Sequence, residues 1–113
     1  MSLIYSLVAR EDIILVEFTP FSGNFVLTAQ QILKRCTANR KYNKFSAGNY
    51  IFYILYQDLI FLVMSDLKYS ERIAFKYLEN IHKLFFATCT LQKALTIQMY
   101  GAMDFAKDLR DNM

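Results

Sequence analysis

An α+β domain, built on an antiparallel sheet with helices over both faces in the order ββαβββαα, is predicted by three observations. The first is the stretch KFSAGNYIFYILYQDLIFLVMSD from Lys44 to Asp66, two aromatic and β-branched runs around a Gln57-Asp58 pair, with Gly48-Asn49-Tyr50 at the head. This pattern reads as a hairpin. Strands so continuously apolar need cover on both faces. The second is a shorter pair of apolar runs, Leu3 to Ala9 and Ile13 to Phe18, separated by Arg10-Glu11-Asp12. The third is the helical spacing of apolar residues between and after the hairpins. Sequential hairpins favour an antiparallel sheet, which one helix on one side and two on the other would cover.

The elements follow in order. Leu3 to Ala9 and Ile13 to Phe18 form the first hairpin, and Thr19-Pro20-Phe21-Ser22-Gly23 breaks the second strand. Asn24 is a suitable N-cap. Phe25, Ala29, Ile32, Leu33 and Cys36 then mark one face of a helix ending near Thr37. Ala38 to Asn43 reads as a polar loop and Lys44 to Ala47 as a weaker strand that Gly48 interrupts. Asn49 to Tyr56 and Leu59 to Ser65 form the second hairpin. Asp66 or Ser70 can cap a long helix through Ala87, with an inner stripe of Ile73, Ala74, Tyr77, Leu78, Ile81 and Phe85. After a break at Thr88 to Gln92, a last helix is predicted from Ala94 to Arg110, with Ala102, Phe105, Ala106 and Leu109 inward. Gly101 weakens it by about 1 kcal/mol relative to alanine.

A chain of 113 residues is expected to be one domain, spanning 1–113, with a core that needs no staples. The 55% apolar fraction, with ten Phe and eight Tyr, implies a very full core or apolar surface kept for a partner. Cys36 and Cys89 lack CxxC spacing or clustered histidines, so buried free thiols in a reducing compartment are expected rather than a disulfide or zinc site. The formal charge of +3 is too small to imply nucleic acid. Lys34, Arg35, Arg40, Lys41 and Lys44 form a local basic cluster, by default a solvated helix end and loop, with acidic lipid or an acidic partner as the alternative. Tyr50 to Met64 is broken by Gln57 and Asp58 and too short to span a bilayer. The N-terminus lacks a basic signal-peptide region. Ser2 stands where myristoylation requires glycine. A soluble, cytosolic chain is expected.

Catalysis is not expected. His82 is the only histidine, read as a partly exposed helix residue beside Lys83. No nucleophile-elbow, zinc-protease, Walker or dinucleotide-binding pattern occurs. Glu11-Asp12 sits in a turn where acidic residues are ordinary, and Glu71-Arg72 and Glu79-Asn80 belong to an outer helix face. Met64, Met99 and Met103 are expected to fill core gaps rather than form an adaptable binding surface. The alternation Tyr50, Phe52, Ile54, Tyr56 marks one sheet face. No cofactor and no metal are implied.

Four segments, IYSLVAREDIILVEFT, GNFVLTAQQIL, GNYIFYILYQDLIFLVMSD and RIAFKYLENIHKLF, together resemble the longin domain, as found at the N-terminus of longin-type R-SNAREs of the vesicle-associated membrane protein 7 kind. The resemblance covers Leu3 to Met113. It implies a profilin-like five-stranded antiparallel sheet with one helix on one face and two on the other, in agreement with the order read from the residues. It also implies a regulatory head for vesicle transport and membrane fusion, working by protein binding on the cytosolic face of endosomal, vacuolar/lysosomal or secretory membranes. In some members the head folds back on the SNARE motif, an autoinhibited state, or binds sorting adaptors or tethers through a groove between the first helix and the third strand. Carried onto this sequence, the strand of Lys41 to Ala47 supplies Phe45 and Ala47, with Tyr42 nearby on the other alternation. Asn43 departs from the apolar residue common at its position. Val26, Gln30 and Leu33 are the candidate helix wall, and Leu33 fits the core equally well. Phe45 is the foremost contact.

The 113 residues contain no heptad-repeat SNARE motif and no tail anchor, so an excised domain of a longer R-SNARE is expected ahead of a longin-only protein. Membrane contact would then come only through an anchor absent from this chain. Two other readings stay open. One is a longin-like subunit of a coat or tethering complex. The other is a PAS-like or profilin-like domain binding a small ligand or actin, which the aromatic-filled strands disfavour because they offer little polar lining.

Overall fold

The computed structural model describes residues 3–21, 23–36 and 40–113. Strands β1 (Leu3–Arg10), β2 (Ile13–Phe18), β3 (Tyr42–Ala47), β4 (Tyr50–Gln57) and β5 (Leu59–Asp66) form one antiparallel sheet in the order β2-β1-β5-β4-β3. Helix α1 (Phe25–Leu33) lies on one face. Helix α2 (Glu71–Thr88), the short α3 (Leu91–Ala94) and α4 (Ala106–Asn112) lie on the other. The predicted fold class, element order and division of helices between faces are all observed.

Both faces of β4 and β5 are buried, as their unbroken apolar runs require. Phe52 and Ile54 meet Ala29, Ile32 and Leu33 of α1, while Tyr53, Leu55, Phe61 and Val63 meet Ala74, Leu78, Ile81 and Phe85 of α2. The hairpins turn where expected. Glu11 and Asp58 take φ of 55° and 65°, the left-handed region, which aspartate tolerates in turns. Gly48 opens the two-residue β3–β4 turn with φ of 61°, a conformation in which a β-carbon would be strained.

Ser70 is the cap of α2, its hydroxyl accepting from the Ile73 amide at 3.4 Å. Asn24 occupies the α1 cap position without a side-chain bond. Helix α1 ends at Leu33, short of the expected Thr37, which lies outside the described residues. Ile73, placed in the inner stripe of α2 by spacing, is 54% exposed. It lies in the first turn, where Ala74 faces the sheet instead.

The last predicted helix is broken. Between α3 and a 3₁₀ turn at Met103–Phe105, the chain leaves helical geometry, with Tyr100 at φ 58°. Tertiary bonds replace the helical ones. Val8 pairs with Val16 and Ala9 with Ile14, leaving Leu15 as the extra residue of a β-bulge. The Ile14 and Leu15 carbonyls accept from the Tyr100 and Ala102 amides at 2.8 and 3.0 Å. Arg10 Nη1 donates to the Ala94 and Ile97 carbonyls at 2.9 and 2.7 Å. Gly101 is needed here for close approach, since a β-carbon would lie 2.6 Å from Ile97 Cγ2 and 2.8 Å from the Gln98 carbonyl oxygen. The same detour turns Met99 and Met103 outward, 55% and 43% exposed, against the core role expected for them; Met64 is buried as expected.

One buried polar chain ties the layers. The Ser6 hydroxyl donates to the Leu62 carbonyl at 3.1 Å. The Tyr77 hydroxyl lies 2.9 Å from Ser6 Oγ and 3.2 Å from the Leu109 carbonyl, so a single phenol joins β1, α2 and α4. Burial raises its pKa, keeping it protonated as a donor. His82 is partly exposed as expected, with its ring between Phe61 and Phe86, centroids 5.2 and 5.0 Å away. Its Nε2 is buried with no hydrogen-bond partner among the described residues. Desolvation, with Lys41 adding repulsion and Asp58 opposing it, lowers its pKa from 6.5. Cys36 and Cys89 are free and half-buried, and burial pushes the Cys36 thiol up to about 11.

Two outcomes are expected. Tyr77→Phe removes the phenolic donor and lowers the unfolding free energy in urea by about 1–1.5 kcal/mol. Unfolded His82 takes up a proton at a pH where the folded residue stays neutral, so stability falls as pH drops below about 6.5. Thermal melts from pH 7 to 5 should show a smaller loss in His82→Gln than in the parent.

Candidate functional site

The two edges of the sheet end differently. At the β2 edge the amides of Tyr100 and Ala102 bond to the Ile14 and Leu15 carbonyls, covering the bulge. The β3 edge pairs with β4 on one side, and no described segment pairs with the other. The Tyr56 amide donates to the Lys41 carbonyl at 2.7 Å, which fixes the phase of the ladder. By antiparallel alternation, Asn43, Phe45 and Ala47 then bond to Ile54, Phe52 and Tyr50. The N–H and C=O groups of Tyr42, Lys44 and Ser46 point outward.

The candidate residues divide between the two faces. Asn43, Phe45 and Ala47 face α1, and Phe45, Ala47 and Val26 are partly buried against its core, leaving part of each side chain at the surface. Gln30 is also partly exposed. Leu33 is core, packed with Ala29 and Ile32. Asn43 is 7% exposed and its Nδ2 donates to the Arg40 carbonyl at 3.0 Å, so its amide secures the entry to β3. Val26, Phe45 and Ala47 therefore pack on one cluster with part of each side chain at the surface, and Gln30 is partly exposed on α1, whereas Asn43 and Leu33 are buried.

Tyr42 lies on the opposite face. Its ring stands edge-on to Phe75 of α2 at 5.1 Å and its hydroxyl donates to Glu79 at 2.5 Å, a bond that raises its pKa. Lys44 shares this face, and its ammonium lies 3.0 Å from Glu71, which raises the lysine pKa. That pair is solvent-exposed and contributes little stability. Two aromatic residues not singled out from sequence close the hairpin end of the α1 side: the Phe25 ring meets Tyr5 at 6.0 Å and Tyr50 at 6.3 Å. Phe25 had marked only the start of a helix stripe, and nothing local pairs it with Tyr50. Among the described residues, no group of three His, Cys, Asp or Glu side chains is placed to hold a metal, and no helix is long and apolar enough to cross a membrane.

The fold is an α+β sandwich domain of the profilin-like kind, with one outer strand that no described segment pairs. Residues 15–109 match the longin family, described as a regulated-SNARE-like domain, and the chain belongs to that family. It is 36% identical over 115 residues to vesicle-associated membrane protein 7B of Dictyostelium discoideum, covering 100% of this chain and 44% of that protein. Over 88 residues it is 36% identical to vesicle-associated membrane protein 714 of Arabidopsis thaliana, covering 75% of this chain and 40% of the relative. Over 89 residues it is 32% identical to vesicle-associated membrane protein 7 of Homo sapiens, covering 78% and 40%. The chain thus spans less than half the length of each of these three relatives.

Hydrogen exchange tests the edge directly. The amides of Asn43, Phe45 and Ala47 should be protected, and those of Tyr42, Lys44 and Ser46 should exchange rapidly. Uniform protection along β3 would mean that the outer edge is already occupied.

Proposed function

We propose that this chain, residues 1–113, is the regulatory longin head of a vesicle R-SNARE. It acts by binding protein rather than by catalysis, at the cytosolic face of a trafficking vesicle. The binding site is the β3 edge beside α1. An extended segment, either the SNARE motif of the same protein or part of a sorting adaptor, adds along the outward groups of Tyr42, Lys44 and Ser46. Its apolar side chains rest on Phe45, Ala47 and Val26, with Gln30 at the margin.

The observation that carries this reading is the contrast between the edges: the protein's own chain bonds across the bulge of β2, whereas among the described residues no segment pairs with the outer side of β3, which runs beside part-buried apolar side chains. An exposed edge strand is a liability unless covered or used. Strand addition is a general way of using it, with backbone bonds supplying affinity and side-chain pockets supplying specificity. A SNARE motif tethered to the head would meet the edge at an effective concentration on the order of millimolar, so modest intrinsic affinity suffices for closure. The ordering entropy of that segment keeps closure reversible.

Phe45→Ser tests the reading. Binding of a SNARE-motif peptide, followed by NMR titration, should be lost at residues 42–47 and along α1. Because the ring is only part-buried, the unfolding free energy should fall by no more than about 1.5 kcal/mol. A loss of about 3–5 kcal/mol would mark the ring as core. Titration shifts confined to α4 would remove the site.

A further inference from the structure

We infer that the α2 side of the β3 edge selects acidic side chains, so that the segment docking there alternates apolar residues toward α1 with acidic residues toward α2. This rests on reading β3 as the docking edge and specifies the chemistry of what docks.

A strand added to β3 sends successive side chains to opposite faces. Those facing α1 meet Phe45, Ala47 and Val26. Those facing α2 meet an open cleft of about 430 Å³ lined by Tyr42, Arg72, Phe75, Lys76 and Glu79. A second cleft of about 500 Å³, to which Lys76 and Glu79 also contribute, reaches Lys41 and Lys83. The acids on this face already have partners: Glu71 has the Lys44 ammonium at 3.0 Å and Glu79 has the Tyr42 hydroxyl at 2.5 Å. Lys41, Arg72, Lys76 and Lys83 have no carboxylate within salt-bridge distance among the described residues. The Tyr42 hydroxyl carries no charge to offset Glu79, so this face sets Lys41, Lys44, Arg72, Lys76 and Lys83 against Glu71 and Glu79, an excess of three positive charges beside the strand edge, while the other side is apolar. A lipid headgroup could meet the same cations, but it would leave the outward N–H and C=O groups of Tyr42, Lys44 and Ser46 to water. An acidic extended peptide satisfies both. Opposite charges arranged across an interface fix register and exclude wrong partners.

The test uses the 113-residue chain and two fluorescent peptides of about nine residues, one alternating Leu with Glu and one alternating Leu with Lys, read by anisotropy. At about 50 mM salt the Leu/Glu peptide should bind about tenfold more tightly, a few-fold for each exposed pair formed. The difference should shrink at about 500 mM salt. Arg72→Glu/Lys76→Glu should remove the preference, and Lys41→Glu/Lys83→Glu, which leaves the strand and its immediate cleft intact, should reduce it. Phe45→Ser should weaken both peptides alike. Equal binding of the two peptides, lost in Phe45→Ser, would overturn the acidic preference and leave the docking edge standing. Failure of both peptides to bind would overturn edge and preference together. Capture by phosphatidylserine vesicles that the charge reversals abolish, with no peptide preference, would make this face a membrane contact and overturn the inference.

Discussion

Every residue from Leu59 to Ser65 is buried, and this two-sided burial of β5 organises the molecule. A strand with no solvent face needs apolar cover above and below and a neighbour on each side. β1 and β4 supply the neighbours, α1 covers one face, and α2 with α4 covers the other. The polar groups admitted to the interior are few: Ser6 donates to the Leu62 carbonyl and the Tyr77 hydroxyl reaches Ser6 and the Leu109 carbonyl, joining the sheet to α2 and α4, while His82 Nε2 has no partner among the described residues. Once the centre is fixed in this way, the two outer strands are the places where the sheet meets water.

Those outer strands are handled in opposite ways. At β2 a bulge presents two consecutive carbonyls to Tyr100 and Ala102, and Arg10 holds the chain that delivers them. That closure costs the last helix its continuity. Among the described residues β3 has no equivalent cover, and its two flanking faces differ in chemistry, with Phe45 and Ala47 toward α1 and Tyr42 and Lys44 toward α2. The β3 edge thus has two distinguishable sides. Tyr42 and Phe45, three residues apart on one strand, therefore belong to different surfaces.

Much of this was legible in the chain. Alternation across Tyr50 to Tyr56 assigned the faces of β4, and the runs on either side of Asp58 required the double cover that is observed. Spacing located α1 and α2 and most of their buried stripes. Resemblance in four segments pointed to the longin family that residues 15–109 match. Errors fell where local pattern competes with a distant partner. Ile73 has the right helical spacing but sits in the first turn with Ala74 toward the sheet. Met99 and Met103 lie in an apolar stretch whose helix is broken by bonds to β2. His82 is partly exposed, as its helix position implied, but nothing local showed that its ring lies between Phe61 and Phe86.

The candidate site divides along the same line. Local pattern gave the strand only from Lys44 and left Tyr42 and Asn43 in a loop, while family pattern named Phe45, Ala47, Val26 and Gln30 as candidates; the start at Tyr42 and the phase of the ladder came from the structure. That Asn43 turns its amide to Arg40, that Leu33 is core, and that Tyr42 joins Phe75 and Glu79 on the far face were decided by packing. By itself the sequence determined which segments are strands and helices and which faces must be dry, because periodicity and burial of apolar side chains are local properties. Only the tertiary structure decided which edge receives the protein's own chain. The β2 bulge is covered by backbone bonds to residues over eighty positions away, and backbone groups are the same in every residue.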